Sequence, residues 1–282
     1  MTVPQFDQWL GDPARPPLVM GVLNVTPDSF SDGGRFADAR TAIEHATGMA
    51  ADGAHIIDVG GESTRPGAQR VAPEEQLRRI LPVIDAIRGR IGALVSVDTT
   101  RAAVARAAID HGASLINDIS AGTDDPDMLP LAARTGAALI LMHMRGQPAT
   151  MQAAPVYSDV CREVADYLQA RRRAAVEAGV SERRILLDPG IGFGKTVDHN
   201  LALLAGLRNL AALGPPIVIG TSRKSFIGRL TGEDEPGRRL AGTAATVAWS
   251  VANGAAIVRV HDVESMAKVV RVIQAILRGR AG

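Results

Sequence analysis

Acidic and amide side chains follow three short apolar segments in the middle of the chain. Asp98, Asn117 and Asp188 stand at the ends of the stretches ALVSVD, SLIN and ILLD. Carboxylate and amide oxygens accept hydrogen bonds, so a group of them suits a ligand edge that is rich in N–H donors, such as an amino-pyrimidine ring. If the three segments deliver these residues to one place, the sequence predicts a pocket for a nitrogen heterocycle.

Cationic side chains follow the last two apolar segments. Lys224 comes directly after PIVIGTSR, and Arg259 and His261 lie within AIVRVHD. These groups can donate charge-assisted hydrogen bonds to an anion such as phosphate. Acids from one set of segments and bases from another predict a ligand with a nitrogen heterocycle at one end and phosphate at the other. The alternative is that the acids and bases pair with each other and only hold the site together.

Patterns typical of a transition-metal site are missing from the sequence. It has no H-E-x-x-H stretch, and the single cysteine, Cys161, excludes a Cys-based zinc site and an internal disulfide framework. Asn24 and Asp32 are oxygen donors on the segment after the first apolar run, and Mg²⁺ commonly binds through one or two protein oxygens plus substrate phosphates. Because Asn and Asp are also common turn residues, these two positions fit a magnesium site but do not require one.

Eight apolar segments alternate with eight predicted helices, and this alternation must position the polar residues. The predicted strands cover residues 18–25, 55–61, 93–99, 115–120, 138–144, 185–194, 216–223 and 256–262, the sixth running into a glycine-rich loop. They are apolar runs rather than alternations, which is typical of a parallel sheet buried on both faces. Eight βα units in about 250 residues predict an α/β fold, the (β/α)8 TIM barrel, with all strand ends at one mouth. A doubly wound open sheet is the rival, but G-x-G-x-x-G does not follow the first strand.

The domain organisation and the bulk composition set further limits. Residues 1–17 are rich in proline and predict an N-terminal arm, and residues 18–282 predict one barrel domain. The net charge of +1 gives no basic field for nucleic acid. No apolar run approaches the roughly 18 residues of a membrane span, and the first residues lack the basic start of a signal peptide. We therefore expect a cytoplasmic protein without nucleic-acid or membrane partners.

Seven ordered motifs, each at a predicted strand end, give the chain a family resemblance. They are NVTPDSFSDGG (24–34), GGESTRPGA (60–68), SVDT (96–99), IND (116–118), DPGIGFGK (188–195), GTSRKSFIG (220–228) and RVHDV (259–263). Together they resemble the dihydropteroate synthase family of folate biosynthesis. The resemblance implies a TIM-barrel transferase that joins a dihydropterin methyl diphosphate to 4-aminobenzoate and releases diphosphate. It also implies Mg²⁺ as cofactor, sulfonamides as inhibitors and a homodimer as the assembly.

The resemblance also implies the residues of each ligand site. The pterin site would comprise Asp98, Asn117, Ile119, Met142, Asp188, Phe193 and Lys224. The diphosphate site would comprise Asn24, Thr64, Arg259 and His261. The 4-aminobenzoate site would comprise Phe30, Thr64, Arg65, Pro66, Phe193 and Ser225. Asn24 and Asp32 would hold Mg²⁺, and Asp98, Lys224, Arg259 and His261 would be catalytic.

Two other functions are compatible with a pterin-binding barrel. One is a methyltransferase domain that passes a methyl group to a corrinoid partner, and the other is an inactive paralogue that only binds pterin. The methyltransferase is not expected to carry the SDGG, TRPG and SRKSF stretches together. The paralogue would normally have lost one of the residues Asp98, Lys224, Arg259 and His261, and all four are present. For the synthase, the segments 24–34 and 62–70 would close over the substrates as a lid, although both could be ordinary loops between strand and helix.

Overall fold

The computed structural model describes residues 1–26, 35–63, 68, 70–146, 150–151 and 155–279, and only the backbone of residues 35–38. Within these residues, eight parallel strands pair in chain order and close into a barrel. The strands are β1 (Leu18–Asn24), β2 (Ile56–Gly60), β3 (Leu94–Asp98), β4 (Leu115–Asp118), β5 (Ala138–Met142), β6 (Ile185–Asp188), β7 (Ile217–Ile219) and β8 (Ala255–Val260). Since β1 also pairs with β8, the sheet has no free edge, and the predicted TIM barrel is confirmed.

Helices follow every strand. In the described residues they are α1 (Val3–Gly11), α2 (Arg35–Ala51), α3 (Pro73–Ile87), α4 (Ala102–Asp110), α5 (Met128–Thr135), α6 (Val160–Glu177), α7 (Val197–Ala205), α8 (Leu207–Ala211), α9 (Ser225–Thr231), α10 (Leu240–Ala252) and α11 (Val263–Arg278). Two helices follow β6, because the chain leaves helical geometry at Gly206 between α7 and α8. The hydroxyl of Thr196 accepts a hydrogen bond from the amide of His199 and caps the start of α7.

The strands bury side chains on both faces, which explains why they read as continuous apolar runs. Ile57 and Val59 face outward and pack in one large core with helix residues such as Ile80 of α3. Ile56 and Leu94 face inward and belong to a second core inside the barrel. Each fully buried aliphatic side chain of this kind contributes roughly 1.5–3 kcal/mol to the free energy of folding.

The segment before β1 contains a helix that the sequence did not predict. In α1, the buried side chains Phe6, Trp9 and Leu10 join the inner core and close the end of the barrel opposite the mouth. The rings of Phe6 and Trp9 stack with centroids 5.4 Å apart, and Trp9 Nε1 donates to the carbonyl of Pro16. Three apolar residues in a proline-rich stretch give too short a pattern to reveal a helix. The boundary between an arm (1–17) and a barrel domain (18–282) remains a prediction.

Candidate functional site

The polar residues predicted at the strand ends converge because they lie on the inner face of the barrel. Strand pairing places Gly60 beside Asp98 and Asp98 beside Asn117, and it places Met142 beside Asp188. A pocket at the carboxyl ends of the strands is lined by all seven predicted pterin-site residues, namely Asp98, Asn117, Ile119, Met142, Asp188, Phe193 and Lys224. Arg259 and His261 line the same pocket. The structure therefore brings the acids of the middle strands and the bases of the last two into one cavity.

Arg259 connects two buried acids at the bottom of this pocket. Its Nε donates to Asp58 Oδ2 at 2.7 Å, and its Nη2 donates to Asp98 Oδ2, also at 2.7 Å. Asp58 Oδ2 accepts a second hydrogen bond from Asn117 Nδ2 at 2.9 Å. The pairing of acids with bases, which the sequence left open as an alternative, is thus present for Arg259.

Burial dominates the electrostatics of this group. It raises the pKa of Asp98 to about 7, although Arg259 opposes the shift and the nearby Asp58 reinforces it. Burial alone would lower the pKa of Arg259, but Asp58 and Asp98 together raise it above its ordinary value. The guanidinium is therefore always charged, whereas the Asp98 carboxyl can gain or lose a proton near neutral pH.

A second acid and a lysine face each other across the pocket. Burial raises the pKa of Asp188, while the amide of Gly190, which donates to Asp188 Oδ1 at 2.7 Å, opposes that shift. Burial, followed by repulsion from Arg259, lowers the pKa of Lys224 to about 8. The Lys224 ammonium lies 4.0 Å from the centre of the Phe193 ring, a cation–π contact that keeps the cation beside an apolar wall.

The apolar wall consists of four side chains from different loops and strands. Ile119, Met142, Met151 and Phe193 contact one another and form a small cluster separate from the two main cores. Such a flat apolar lining beside a few converging polar groups is typical of small-molecule sites. Ile140, two residues before Met142 on β5, belongs to the inner core instead.

His261 is positioned by the end of the preceding strand. Its Nδ1 lies 3.0 Å from Ser222 Oγ, and the same hydroxyl oxygen accepts the His261 amide at 3.1 Å. Arg223 is turned away by a left-handed backbone (φ 59°) and makes a two-point ion pair with Asp262 at 3.0 and 2.5 Å. Among the basic residues at the ends of β7 and β8, Arg223 therefore joins the two strand ends through Asp262. Lys224, Arg259 and His261 line the pocket.

Three predicted positions need separate mention. Asn24 is the last residue of β1. Its side-chain oxygen lies beside Gly60, 3.6 Å from the position that a Cβ on Gly60 would occupy. Ser225 is the first residue of α9 and lines a neighbouring pocket with Lys195 and Phe226. Asp118, next to Asn117 in the IND motif, turns outward, where its carboxylate accepts from Ser120 and Gly122.

Five predicted residues lie outside the described residues. They are Phe30, Asp32, Thr64, Arg65 and Pro66. In the part of the chain that is described, no group of three or more His, Cys, Asp or Glu residues could hold a metal ion. None of the described helices is both long and apolar enough to cross a membrane, and the cytoplasmic location stays a prediction.

Sequence reasoning assigned no role to two buried polar residues of the site. Asp58 is fully buried on β2, and Lys195 is buried at the end of the DPGIGFGK motif. Lys195 Nζ donates to the carbonyls of Gly190 and Phe193 at 2.9 and 3.0 Å and lies 2.9 Å from His143 Nδ1. The available signal for Asp58 was a charged residue within an apolar strand. For Lys195 it was a charged residue at the end of a glycine-rich motif.

The glycines of this motif let the loop pass directly over the end of β5. Gly190 and Gly194 both have positive φ angles, 66° and 62°. A Cβ at Gly190 would lie 1.9 Å from the carbonyl oxygen of His143, and one at Gly194 would lie 2.2 Å from that of Arg145. Only glycine can therefore occupy these two positions, and the close approach is what places Phe193 over the pocket.

Comparison with known proteins adds an independent line of evidence. The sequence model of a family described as "Pterin binding enzyme" matches residues 20–261. The dihydropteroate synthase of Synechocystis sp. is 49% identical over 271 residues, covering 96% of this chain and 94% of that protein.

Two solved structures share the fold over nearly their whole length. Xanthomonas albilineans dihydropteroate synthase with 4-aminobenzoic acid superimposes with a TM-score of 0.88 at 45% identity, covering 93% of each chain. Yersinia pestis dihydropteroate synthase in a sulfonamide drug complex gives a TM-score of 0.88 at 43% identity, covering 93% of this chain and 95% of that one. Sequence and fold are thus similar to those of one group of enzymes.

Proposed function

This chain belongs to the dihydropteroate synthase family, and we propose that its barrel mouth joins a dihydropterin methyl group to 4-aminobenzoate. The substrate carrying that group is the pterin methyl diphosphate, and the products are dihydropteroate and diphosphate. The observation that carries the proposal is the convergence of Asp98, Asn117, Asp188 and Lys224 on one pocket. Its chemistry matches an N–H-rich ring bearing an anionic leaving group.

The pterin ring would lie deepest, among the acceptors. Asp98, Asn117 and Asp188 would accept its N–H groups, and Lys224 would donate to its acceptors. Phe193 offers a flat apolar face at the wall of the same pocket. A buried site built to hydrogen-bond a ring discriminates strongly against analogues that leave its polar groups unpaired.

The reaction breaks the bond between the methylene carbon and the diphosphate oxygen, and the electron pair leaves with diphosphate. Arg259 and His261 would donate to the oxygens on which negative charge develops. A guanidinium has five N–H donors, so Arg259 can hold two acids and still meet an anion. The electron-rich ring stabilises the cationic methylene, and the Asp98 carboxylate would be its electrostatic partner.

The amine of 4-aminobenzoate then attacks the methylene carbon, forms the new C–N bond and loses a proton. This step needs placement of the amine more than it needs a base. Thr64, Arg65, Pro66 and Phe30, together with Phe193 and Ser225, would form its site, and sulfonamides would compete for the same position. The two segments 24–34 and 62–70 would exclude water from the reactive cation.

Mg²⁺ would assist the leaving group. The side-chain oxygen of Asn24 at the end of β1 would hold the ion together with Asp32 and the diphosphate oxygens, an all-oxygen donor set of the kind that Mg²⁺ prefers. When bound, the ion would neutralise charge on the diphosphate.

We also propose that the protein is a homodimer that pairs through its last helices. Val272, Ile276 and Leu277 of α11 are between 58% and 66% exposed, and Trp249 of α10 is 50% exposed. Apolar side chains this exposed on adjacent helices support an interface. Light scattering would give a mass near 59 kDa, twice the 29.6 kDa of one chain, and an Ile276→Asp variant would shift the mass toward the monomer.

The function is tested by incubating the purified protein with pterin methyl diphosphate, 4-aminobenzoate and Mg²⁺. We expect dihydropteroate and diphosphate in equal amounts, and no sustained diphosphate release when 4-aminobenzoate is omitted. An Asp98→Asn variant should be strongly impaired, whereas Asp118→Asn removes a carboxylate that points away from the pocket and serves as its matched control. Binding of the pterin without product, or methyl transfer from a methylated folate, would overturn the proposal in favour of a paralogue or a methyltransferase.

A further inference from the structure

Asp58 is an acid inside the barrel for which the proposed reaction has no direct use. It is 0% exposed, and its Oδ2 atom accepts hydrogen bonds from both Asn117 Nδ2 and Arg259 Nε. The other oxygen, Oδ1, is buried and has no hydrogen-bond partner among the described residues. A buried carboxylate with an unsatisfied oxygen is costly, so its presence calls for a reason other than packing.

The first contact of Asp58 determines which atom of Asn117 faces the ligand. A side-chain amide has its donors on nitrogen only and its acceptor on oxygen only. Because Asn117 Nδ2 donates to Asp58, Oδ1 is the atom left to face the pocket that Asn117 lines. The pocket thereby presents a third acceptor next to Asp98 and Asp188, rather than a donor.

The second contact of Asp58 holds the Arg259 guanidinium at two points. Nε is held by Asp58 on β2, and Nη2 is held by Asp98 on β3. Two contacts to a planar group fix its orientation as well as its position. One oxygen atom thus positions two side chains that line the pocket.

We infer that Asp58 is a positioning residue that sets the acceptor pattern read by the pterin ring, an inference that rests on the proposed function. It fixes the amide of Asn117 with its oxygen toward the ligand and fixes the guanidinium of Arg259 beside Asp98. A carboxylate with a purely structural role would bond its own surroundings, as Asp118 does. Asp118 is equally buried on β4, two strands away, and among the described residues its carboxylate accepts hydrogen bonds from Ser120 and Gly122 of its own loop.

Two substitutions at Asp58 separate shape from hydrogen bonding. Asp58→Asn keeps an oxygen that can accept from both Asn117 and Arg259, whereas Asp58→Leu keeps the branched shape and accepts nothing. Asp118→Asn is the matched control for a buried carboxylate elsewhere in the barrel, on β4. For each protein, calorimetry would give the dissociation constants of a pterin and of its analogue with an oxo group in place of the exocyclic amine, and turnover would give KM for each substrate.

The wild type should strongly prefer the amino form. Asp58→Leu should lose about tenfold of that preference and raise KM for the pterin substrate more than KM for 4-aminobenzoate, because Asn117 can then present either end of its amide. Asp58→Asn and Asp118→Asn should keep the preference within about threefold. An unchanged preference in a folded Asp58→Leu protein, or an equal loss in Asp118→Asn, would overturn the inference, whereas a wild type without turnover would overturn the proposed function instead.

A measurement on the wild type covers the case in which Asp58→Leu does not fold. Neutron diffraction from a deuterated crystal locates the two deuterium atoms on the Asn117 amide directly. We expect one of them on the line from Nδ2 to Asp58 Oδ2. Both deuterium atoms directed into the pocket would refute the role of Asp58 whatever the variants do.

Discussion

Lys195 Nζ lies 2.9 Å from His143 Nδ1, so that a buried lysine meets a buried histidine beneath the glycine-rich loop. Burial lowers the pKa of Lys195 to about 7. Burial, and then the charge of Lys195, lowers the pKa of His143 to about 3. The histidine is therefore neutral at physiological pH, and its Nδ1 accepts a hydrogen bond from the ammonium.

Replacing Lys195 with Met should loosen the loop that carries Phe193. Lys195 Nζ also donates to the carbonyls of Gly190, Phe193 and His143, so the variant loses these hydrogen bonds and should be less stable by about 1–3 kcal/mol in chemical denaturation. KM for the pterin substrate should rise about tenfold. Lys268→Met, at an exposed lysine of α11 paired with Glu264, should change stability by less than about 0.5 kcal/mol.

The same variant has a pH signature. Between pH 7 and the ordinary pKa of lysine, the unfolded chain binds a proton at Lys195 that the folded protein has already released. The wild type should therefore gain stability relative to Lys195→Met as pH rises through this window. Parallel stability curves for the two proteins would show that Lys195 is not the titrating group.

Catalysis should follow a bell-shaped pH profile. The Asp98 carboxyl, whose pKa burial raises to about 7, must be ionised to accept ring N–H groups and to face a cation, so kcat/KM should rise through pH 7. Lys224, whose pKa burial lowers to about 8, must be charged, so kcat/KM should fall above that value. Asp98→Asn should remove the acidic limb and Lys224→Met the alkaline limb, each at reduced activity. An acidic limb that survives in Asp98→Asn belongs to another group.

Substitutions at different depths of the pocket should affect different ligands. Asp188→Asn removes charge that faces the ring edge and should weaken binding of a pterin without diphosphate by about tenfold or more. His261→Ala should leave that affinity within about threefold of the wild type but slow diphosphate release. Pro66→Ser should mainly alter the affinities for 4-aminobenzoate and sulfonamides. Titration calorimetry with each ligand separates the three effects, and a uniform loss for every ligand would contradict the spatial partition.

Gln76 holds together the two ends of the segment that carries Thr64, Arg65 and Pro66. Its Nε2 donates to Glu62 Oε2 at 2.9 Å and to the carbonyl of Val71 at 3.0 Å, and its Oε1 accepts from the hydroxyl of Thr99. Gln76→Leu should therefore raise KM for 4-aminobenzoate severalfold with a smaller effect on the pterin.

Gln169→Leu is the control for Gln76→Leu, because Gln169 lies on α6 and its Oε1 accepts a hydrogen bond from Arg172 Nη1 of the same helix at 3.2 Å. It should leave both KM values unchanged. If Gln76→Leu raised both KM values equally, the residue would support the barrel as a whole and not that segment.

The barrel was predictable because burial on both faces makes each strand an apolar run, and eight such runs with helices between them have few alternatives. The polar residues at the strand ends were also predictable, because a polar residue that ends an apolar strand lies at the mouth of the barrel. The face of the barrel to which a side chain within a strand points was not predictable. Asp58 and Arg259 are distant in sequence, and only the closed register of β1, β2 and β8 shows that they meet.

Other residues escaped prediction because their signal is local and short. The helix α1 has only nine residues, and its apolar pattern becomes meaningful only when three of its side chains are seen to pack inside the barrel. Asp118 and Asn117 are neighbours in one motif, and alternation sends their side chains to opposite faces. A motif that resembles a family identifies both residues without saying which of them faces a ligand.

Among the described residues, α1 fills the amino end of the barrel, so the pocket opens toward the mouth at the carboxyl ends of the strands. Whatever binds at the depth of Asp98 and Asn117 must enter before, and leave after, whatever binds above it. Under the proposed reaction the pterin substrate arrives first, 4-aminobenzoate second, and the joined product departs along the path by which both came. A sulfonamide in the outer position would therefore trap the inner ligand as well as exclude its competitor, so the residence time of the pterin would depend on the occupant of the neighbouring position.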